Sequence, residues 1–273
     1  MQALKKIKGL TYSLISRVGI FCLPLWVLEI LLGENCLRAL LKLSGCNLKL
    51  LIPARVGVMT SVLKQFQRRR IPCSCLIIGG WTLEGYPKFI ASFLPANSKL
   101  VCIDTYNNLL NQDYEFTHQE KNNHRYAAIA LQLALKNKRN IERNSILDVR
   151  VVCANNLNKI DELYDIIFID ANYQYDAYKI MLQNSYLSLN DGGVIIGDDF
   201  ELQLPIPNLL IEECKRSVNK DLIYSEVVTE YVHPGIVLGL HNFISMNPEI
   251  RVEASSGIYV VRKNDKWATI HES

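Results

Sequence analysis

Tyr164-Asp165-Ile166-Ile167-Phe168-Ile169-Asp170 and, one helix later, Gly192-Gly193-Val194-Ile195-Ile196-Gly197-Asp198-Asp199-Phe200 decide the fold of this chain. Each is an apolar, β-branched run that stops at an acid. Between them, Tyr178, Met181, Leu182, Tyr186 and Leu189 are apolar at helical spacing. Runs that are apolar throughout, joined by a helix, predict two buried parallel strands with a crossover. Asp170, Asp198 and Asp199 then share the carboxyl-terminal edge of the sheet, where open α/β sheets bind ligands. Carboxylates gathered there are costly unless a cation or a hydrogen-bonding ligand uses them.

Working towards the N-terminus, Cys75-Leu76-Ile77-Ile78-Gly79-Gly80-Trp81-Thr82-Leu83-Glu84-Gly85 reads as a buried strand, a glycine turn and the start of a helix running to about Phe93. Such a unit lets a ligand approach the backbone and exposes helix N-terminal amides. Lys99-Leu100-Val101-Cys102-Ile103-Asp104 is a second strand, and its terminal acid lies 19 residues beyond Gly85. An acid so placed bonds the ribose hydroxyls of a nucleoside; the plainer role is a turn cap. A polar stretch over 106–123, with His118 inside it and His124 beside it, is long enough for a lid. A helix from about 124 to 138 and a strand over 148–153 follow. That strand ends at Ala154-Asn155, which suits either a purine ring edge or an ordinary turn.

With 49% hydrophobic residues and a formal charge of +3 over 273 residues, the chain can bury a large core. It carries no charge excess pointing to nucleic acid. The eight cysteines form no C-x-x-C pair or zinc spacing, so free thiols in a reducing, cytoplasmic compartment are expected. Residues 1–70 read as a helical extension ahead of a domain over 71–273. Lys5, Lys6 and Lys8 precede an apolar run, densest over 18–32, that Pro24 and Glu29 interrupt. The run is short for a span of roughly 20 residues. Two readings stay open for 1–33: a cap on the domain or on a second subunit of a homo-oligomer, and a helix on a membrane surface. An amphipathic helix over 56–66 ends in Arg68-Arg69-Arg70, a basic C-terminus of the kind the helix dipole favours.

With the strands so placed, the chain resembles the class I S-adenosylmethionine-dependent methyltransferases, in the branch that O-methylates small molecules. The resemblance covers roughly residues 70–200. It is carried by Ile78-Gly79-Gly80-Trp81, Val101-Cys102-Ile103-Asp104-Thr105-Tyr106, Asp165 to Asp170, and Leu189 to Phe200. It implies a doubly wound, mostly parallel Rossmann-like sheet with an antiparallel final hairpin, for which Leu222–Val228 and Gly257–Arg262 are the candidates. By resemblance, Gly79, Gly80 and Trp81 cradle the methionine part of S-adenosylmethionine. Asp104 and Thr105 lie at the ribose, and Ala154 and Asn155 at the adenine. Asp170, Asp198 and Asp199 match the positions that hold Mg²⁺ in metal-dependent members, where the ion orients acceptor oxygens. The implied acceptor is a hydroxyl of a small molecule or sugar.

The chain departs from that pattern at telling places. Ile77 stands where an acid precedes the first glycine, and Leu83 where a second glycine often sits. Tyr173 occupies the position of a catalytic histidine, and a phenol with pKa near 10 is a weak base at neutral pH. Asp170 and Tyr173 are the catalytic candidates, with His233, His241 and His118 as other sources of a base; His233, before Pro234, also reads as a turn residue. Segments 231–235 and 239–242 read as loops or short strands, 201–207 as a proline-bearing loop shaping the acceptor side, and 208–218 as a helix. Two rival functions remain: a degenerate, non-catalytic binding or membrane-associated subunit, and an NAD-linked oxidoreductase. The latter lacks a G-x-G-x-x-G turn.

Overall fold

A computed structural model describes residues 52–80, 82–104, 127–145, 147–153, 162–171 and 173–264. The expectations for residues 1–51, Trp81, Thr105, His118, His124, Ala154 and Asn155 lie outside these. Seven strands form one sheet in the order β3-β2-β1-β4-β5-β9-β8. Its parallel part comprises β1 (Ser74–Ile78), β2 (Lys99–Asp104), β3 (Asp148–Cys153), β4 (Tyr164–Ile169) and β5 (Leu189–Phe200). β9 (Gly257–Arg262) runs antiparallel to β5, and β8 (Arg251–Ser255) closes the edge against β9. The doubly wound, mostly parallel sheet expected from the sequence is therefore present.

Two-residue periodicity divides the core between the sheet's faces. Leu76 and Ile78 of β1, Ile167 and Ile169 of β4, and Ile195 of β5 enter one cluster. Helices α4 (Tyr175–Leu187), α5 (Asn208–Arg216) and α6 (Pro234–Met246) cover that side. Cys75, Ile77, Ile166, Phe168, Val194 and Ile196 enter the other cluster. There they meet α1 (Pro53–Arg69), α2 (Tyr86–Ala91) and α3 (Ala127–Ser145). Ile77, where an acid was expected, is fully buried and serves this packing. α1 contributes Met59, Val62, Leu63 and Phe66 to the same core, while Arg68, Arg69 and Arg70 are exposed at its end as the sequence suggests. Cys73, Cys75, Cys102 and Cys214 are free thiols. No described helix is long and apolar enough to cross a membrane.

Two expectations are corrected. The final hairpin is β8–β9, whereas residues 222–228 contribute β6 (Ile223–Ser225), which pairs with β7 (Glu230–Val232) in a separate ribbon. Of the segments 231–235 and 239–242, read as loops or short strands, residues 231 and 232 lie in β7, whereas 234–235 and 239–242 lie in α6. Pro234 occupies its first turn, where a missing N–H costs nothing. Its glycines are packing devices. A Cβ on Gly235 would sit 1.8 Å from the Tyr173 carbonyl oxygen, and one on Gly239 2.8 Å from the Tyr178 ring. The helix can therefore lie directly on α4 and the segment before it.

Gly197 plays the same part within the sheet, because a Cβ there would lie 2.0 Å from the Tyr259 ring. That ring is fully buried, and its hydroxyl lies 2.6 Å from that of Tyr178. Gly197→Ala is expected to lower the unfolding free energy by about 1–3 kcal/mol through overpacking. Urea denaturation monitored by circular dichroism reads this directly, and an unchanged midpoint would contradict the packing.

Candidate active site

The sheet order reverses between β1 and β4, with β2 and β3 on one side and β4 and β5 on the other. A crevice opens beyond the carboxyl ends of the strands at such a switch point. Gly79 leaves β1 there at φ 92°, and its N–H donates to the Ile103 carbonyl at 2.9 Å. A Cβ at this position would lie 1.9 Å from the Asp170 carbonyl oxygen, so the turn is bare backbone by necessity. Asp104 follows Ile103, and the Asp170 N–H donates to the Ile78 carbonyl at 2.8 Å. Gly79, Asp104 and Asp170 are thus neighbours at one edge, as the sequence indicates. Leu83 takes up a left-handed conformation at φ 58° with its N–H bonded to Gly80, and complete burial of its side chain anchors the strained turn.

At the same edge, carboxylate oxygens of Asp170, Asp198 and Asp199 lie within 4.8 Å of one another. Adjacent strand residues ordinarily face opposite ways. Here the register shifts between Gly197 and Phe200, and Asp199 adopts φ 57°. The bulge turns both acids into one cluster.

A residue that the sequence reading missed sits among them. Arg55, in the first turn of α1, is buried to 7% exposure. Its Nη1 donates to Asp198 Oδ1 at 2.6 Å and to Asp199 Oδ1 at 2.7 Å, while Nη2 donates to Glu201 Oε1. Burial works against its charge, but Asp198 and Asp199 outweigh that cost and hold the guanidinium firmly protonated. Space for the side chain comes from Gly257, at φ 81°, where a Cβ would stand 2.6 Å from Arg55 Nε. One signal was available: positions 55, 59, 62, 63 and 66 form a single helical stripe, so Arg55 falls on the buried face.

The Tyr173 hydroxyl donates its single proton to Asp199 Oδ2 at 2.5 Å and lies 3.2 Å from Asp170 Oδ1. The phenol therefore acts as a proton donor between two acids. His233 packs against it with ring centroids 4.3 Å apart. Its Nδ1 lies 2.6 Å from the Asp221 main-chain oxygen and 3.7 Å from Oδ1 of the same residue, which makes Nδ1 the protonated nitrogen. Burial disfavours the charged ring, yet Asp221 and the charge of Asp199 raise its pKa above the ordinary 6.5. The residue before a proline is thus more than a turn position. His241 lies about two turns further along α6.

No protein-family model and no curated protein sequence matches the chain. Solved structures do resemble it. The O-methyltransferase from Bacillus cereus in complex with SAH is 17% identical, with 87% of this chain and 96% of that one covered at a TM-score of 0.46. The O-methyltransferase TomG from Streptomyces achromogenes, in complex with SAM, is 14% identical over 76% and 80% at 0.43. Cofactor-bound Rv0187 from MTB is 13% identical over 88% and 94% at 0.48. The likeness is one of fold. Any function must be read from the side chains of this chain.

Two outcomes follow from the geometry. Arg55→Ala strands buried carboxylates and is expected to cost about 3–5 kcal/mol in urea denaturation, with Asp198→Asn in the same chain recovering part of the loss. A loss below about 1 kcal/mol, the range of exposed pairs, would place the guanidinium outside the cluster. Because the folded-state pKa of His233 is raised, its contribution to stability is complete below pH 6.5 and fades as pH rises through the folded value. The stability difference between wild type and His233→Gln should shrink along that direction, and a difference that grows with pH would reverse the assignment.

Proposed function

We propose that the protein transfers a methyl group from S-adenosylmethionine to a hydroxyl of a small molecule or sugar. The observation that carries this reading is the meeting of the bare Gly79 turn, Asp104 and Asp170 at the β1/β4 switch point, the place where open α/β sheets bind ligands. Gly79 and Gly80 form the bare-backbone turn after β1, beside which the resemblance puts the methionine part of the cofactor. Asp104, at the end of β2, accepts hydrogen bonds from the ribose hydroxyls. Trp81, Thr105, Ala154 and Asn155 retain the cofactor-side roles that the resemblance implies.

On the acceptor side, Asp170 and Asp199 flank the Tyr173 hydroxyl and form the negative wall of the crevice. The sulfonium methyl passes to the acceptor oxygen, the carbon–sulfur bond breaks to leave S-adenosylhomocysteine, and the hydroxyl proton moves to a carboxylate. Such a donor needs positioning and removal of one proton more than activation. Tyr173, donating to Asp199 with Asp170 beside it, orients the pair and is assigned a positioning role. The oxygen set of Asp170, Asp198 and Asp199 is of the kind that suits Mg²⁺. Arg55 and Tyr173, however, already take up both oxygens of Asp199 and one each of Asp198 and Asp170. No step of this reading uses an ion.

The occupied acid cluster also favours a second reading, in which the fold binds the cofactor without turning it over. Calorimetry with S-adenosylmethionine and with NAD separates these possibilities. S-adenosylmethionine is expected to bind, and Asp104→Ala to weaken it at least tenfold, about 1.4 kcal/mol. Binding that survives Asp104→Ala unchanged would remove the ribose assignment, and failure of both nucleotides to bind would remove the enzyme reading. Binding without methyl transfer to any hydroxyl acceptor would select the non-catalytic alternative.

A further inference from the structure

We infer that the Arg55 guanidinium is the resident cation of the acid cluster and stands in the place of a divalent metal. Asp170, Asp198 and Asp199 bring their oxygens within 4.8 Å of one another, close enough to share one ion. The positive charge found against them is a buried side chain. Nη1 sits between Oδ1 of Asp198 and Oδ1 of Asp199, at 2.6 and 2.7 Å, and Nη2 engages Glu201. A metal at that point would have to displace a planar, charge-assisted fork that is already desolvated. The Tyr173 hydroxyl is hydrogen-bonded to Oδ2 of Asp199 and lies 3.2 Å from Oδ1 of Asp170, so an entering ion would have to displace the phenol as well.

The arrangement is built in from two other parts of the chain. α1 delivers Arg55 on its buried stripe, beside Met59 and Val62. The β8–β9 turn opens a slot for the side chain at Gly257, where any Cβ would contact Arg55 Nε and the Glu201 carboxylate. Helix, turn and acid-bearing strand therefore fit a guanidinium, and the three acids that contact it, Asp198, Asp199 and Glu201, offset the cost of its burial.

This inference concerns charge at the acid cluster and is read by metal binding alone, so it stands or falls separately from the methyl-transfer reading. Mn²⁺ serves as the probe, followed by electron paramagnetic resonance on the full-length chain. Wild type and Arg55→Lys are expected to bind no Mn²⁺ up to about 1 mM, a weak-binding limit. Arg55→Met, which keeps a long apolar stem and removes the charge, is expected to gain a site at least tenfold tighter, and Asp198→Asn in that background to abolish it. Wild-type binding below about 0.1 mM that Asp198→Asn weakens would overturn the inference. So would a folded Arg55→Met with no gain. Should Arg55→Met fail to fold, the wild-type and Arg55→Lys titrations decide the matter.

Discussion

The contact between Arg55 and the acids of β5 is the constraint on which the rest of the site depends. Asp198 is almost fully buried and Asp199 partly so, and two carboxylates side by side in a low-dielectric setting repel strongly. A guanidinium between them converts that repulsion into charge-assisted hydrogen bonds. α1 is thereby fixed to the centre of the sheet by charge as well as by Met59, Leu63 and Phe66. Because the pair is buried, its worth lies less in net stability than in specifying one arrangement: moving either partner leaves the other exposed to the full cost of desolvation.

The sheet itself follows from simpler rules. Alternate residues of β1, β4 and β5 feed two separate cores, and helices cover both faces, so the edges of the parallel strands are the places left for polar chemistry. At that edge the backbone is shaped by glycines whose missing side chains are filled by neighbours. Gly79 admits the Asp170 carbonyl, Gly197 the Tyr259 ring and Gly235 the Tyr173 backbone. Each brings the acid cluster and the tyrosine beside it closer to the crevice than a chain with Cβ atoms would allow.

Much of this was legible in the sequence because it is local. The apolar runs ending at Asp104, Asp170 and Asp198-Asp199 mark strand ends, and the glycine turn after Ile78 marks the mouth of the crevice. What escaped was long-range. Arg55 meets acids more than 140 positions away, and nothing in its immediate surroundings names them; only its place on an apolar helical stripe sets it apart. α6 was concealed because Gly235 and Gly239 lower helix propensity, and close packing on α4 overrides that preference; Pro234 is a helix-start signal that also reads as a turn. The final hairpin was misplaced because residues 223–225 and 230–232 pair with each other in a small ribbon. The edge strand β8 alternates between exposed and partly buried residues and lacks a strong apolar run.

Gly257 gives the hairpin turn an influence beyond its own geometry. It opens β9, between β5 and β8, and carries no chemistry, yet its bare α-carbon leaves room for the guanidinium beside the acids. A side chain there would press on Arg55 Nε and the Glu201 carboxylate and force those side chains to shift. The fit of the guanidinium among its acids is thus tuned from a position remote in sequence from each of them, where the absence of one methyl group leaves the fork undisturbed.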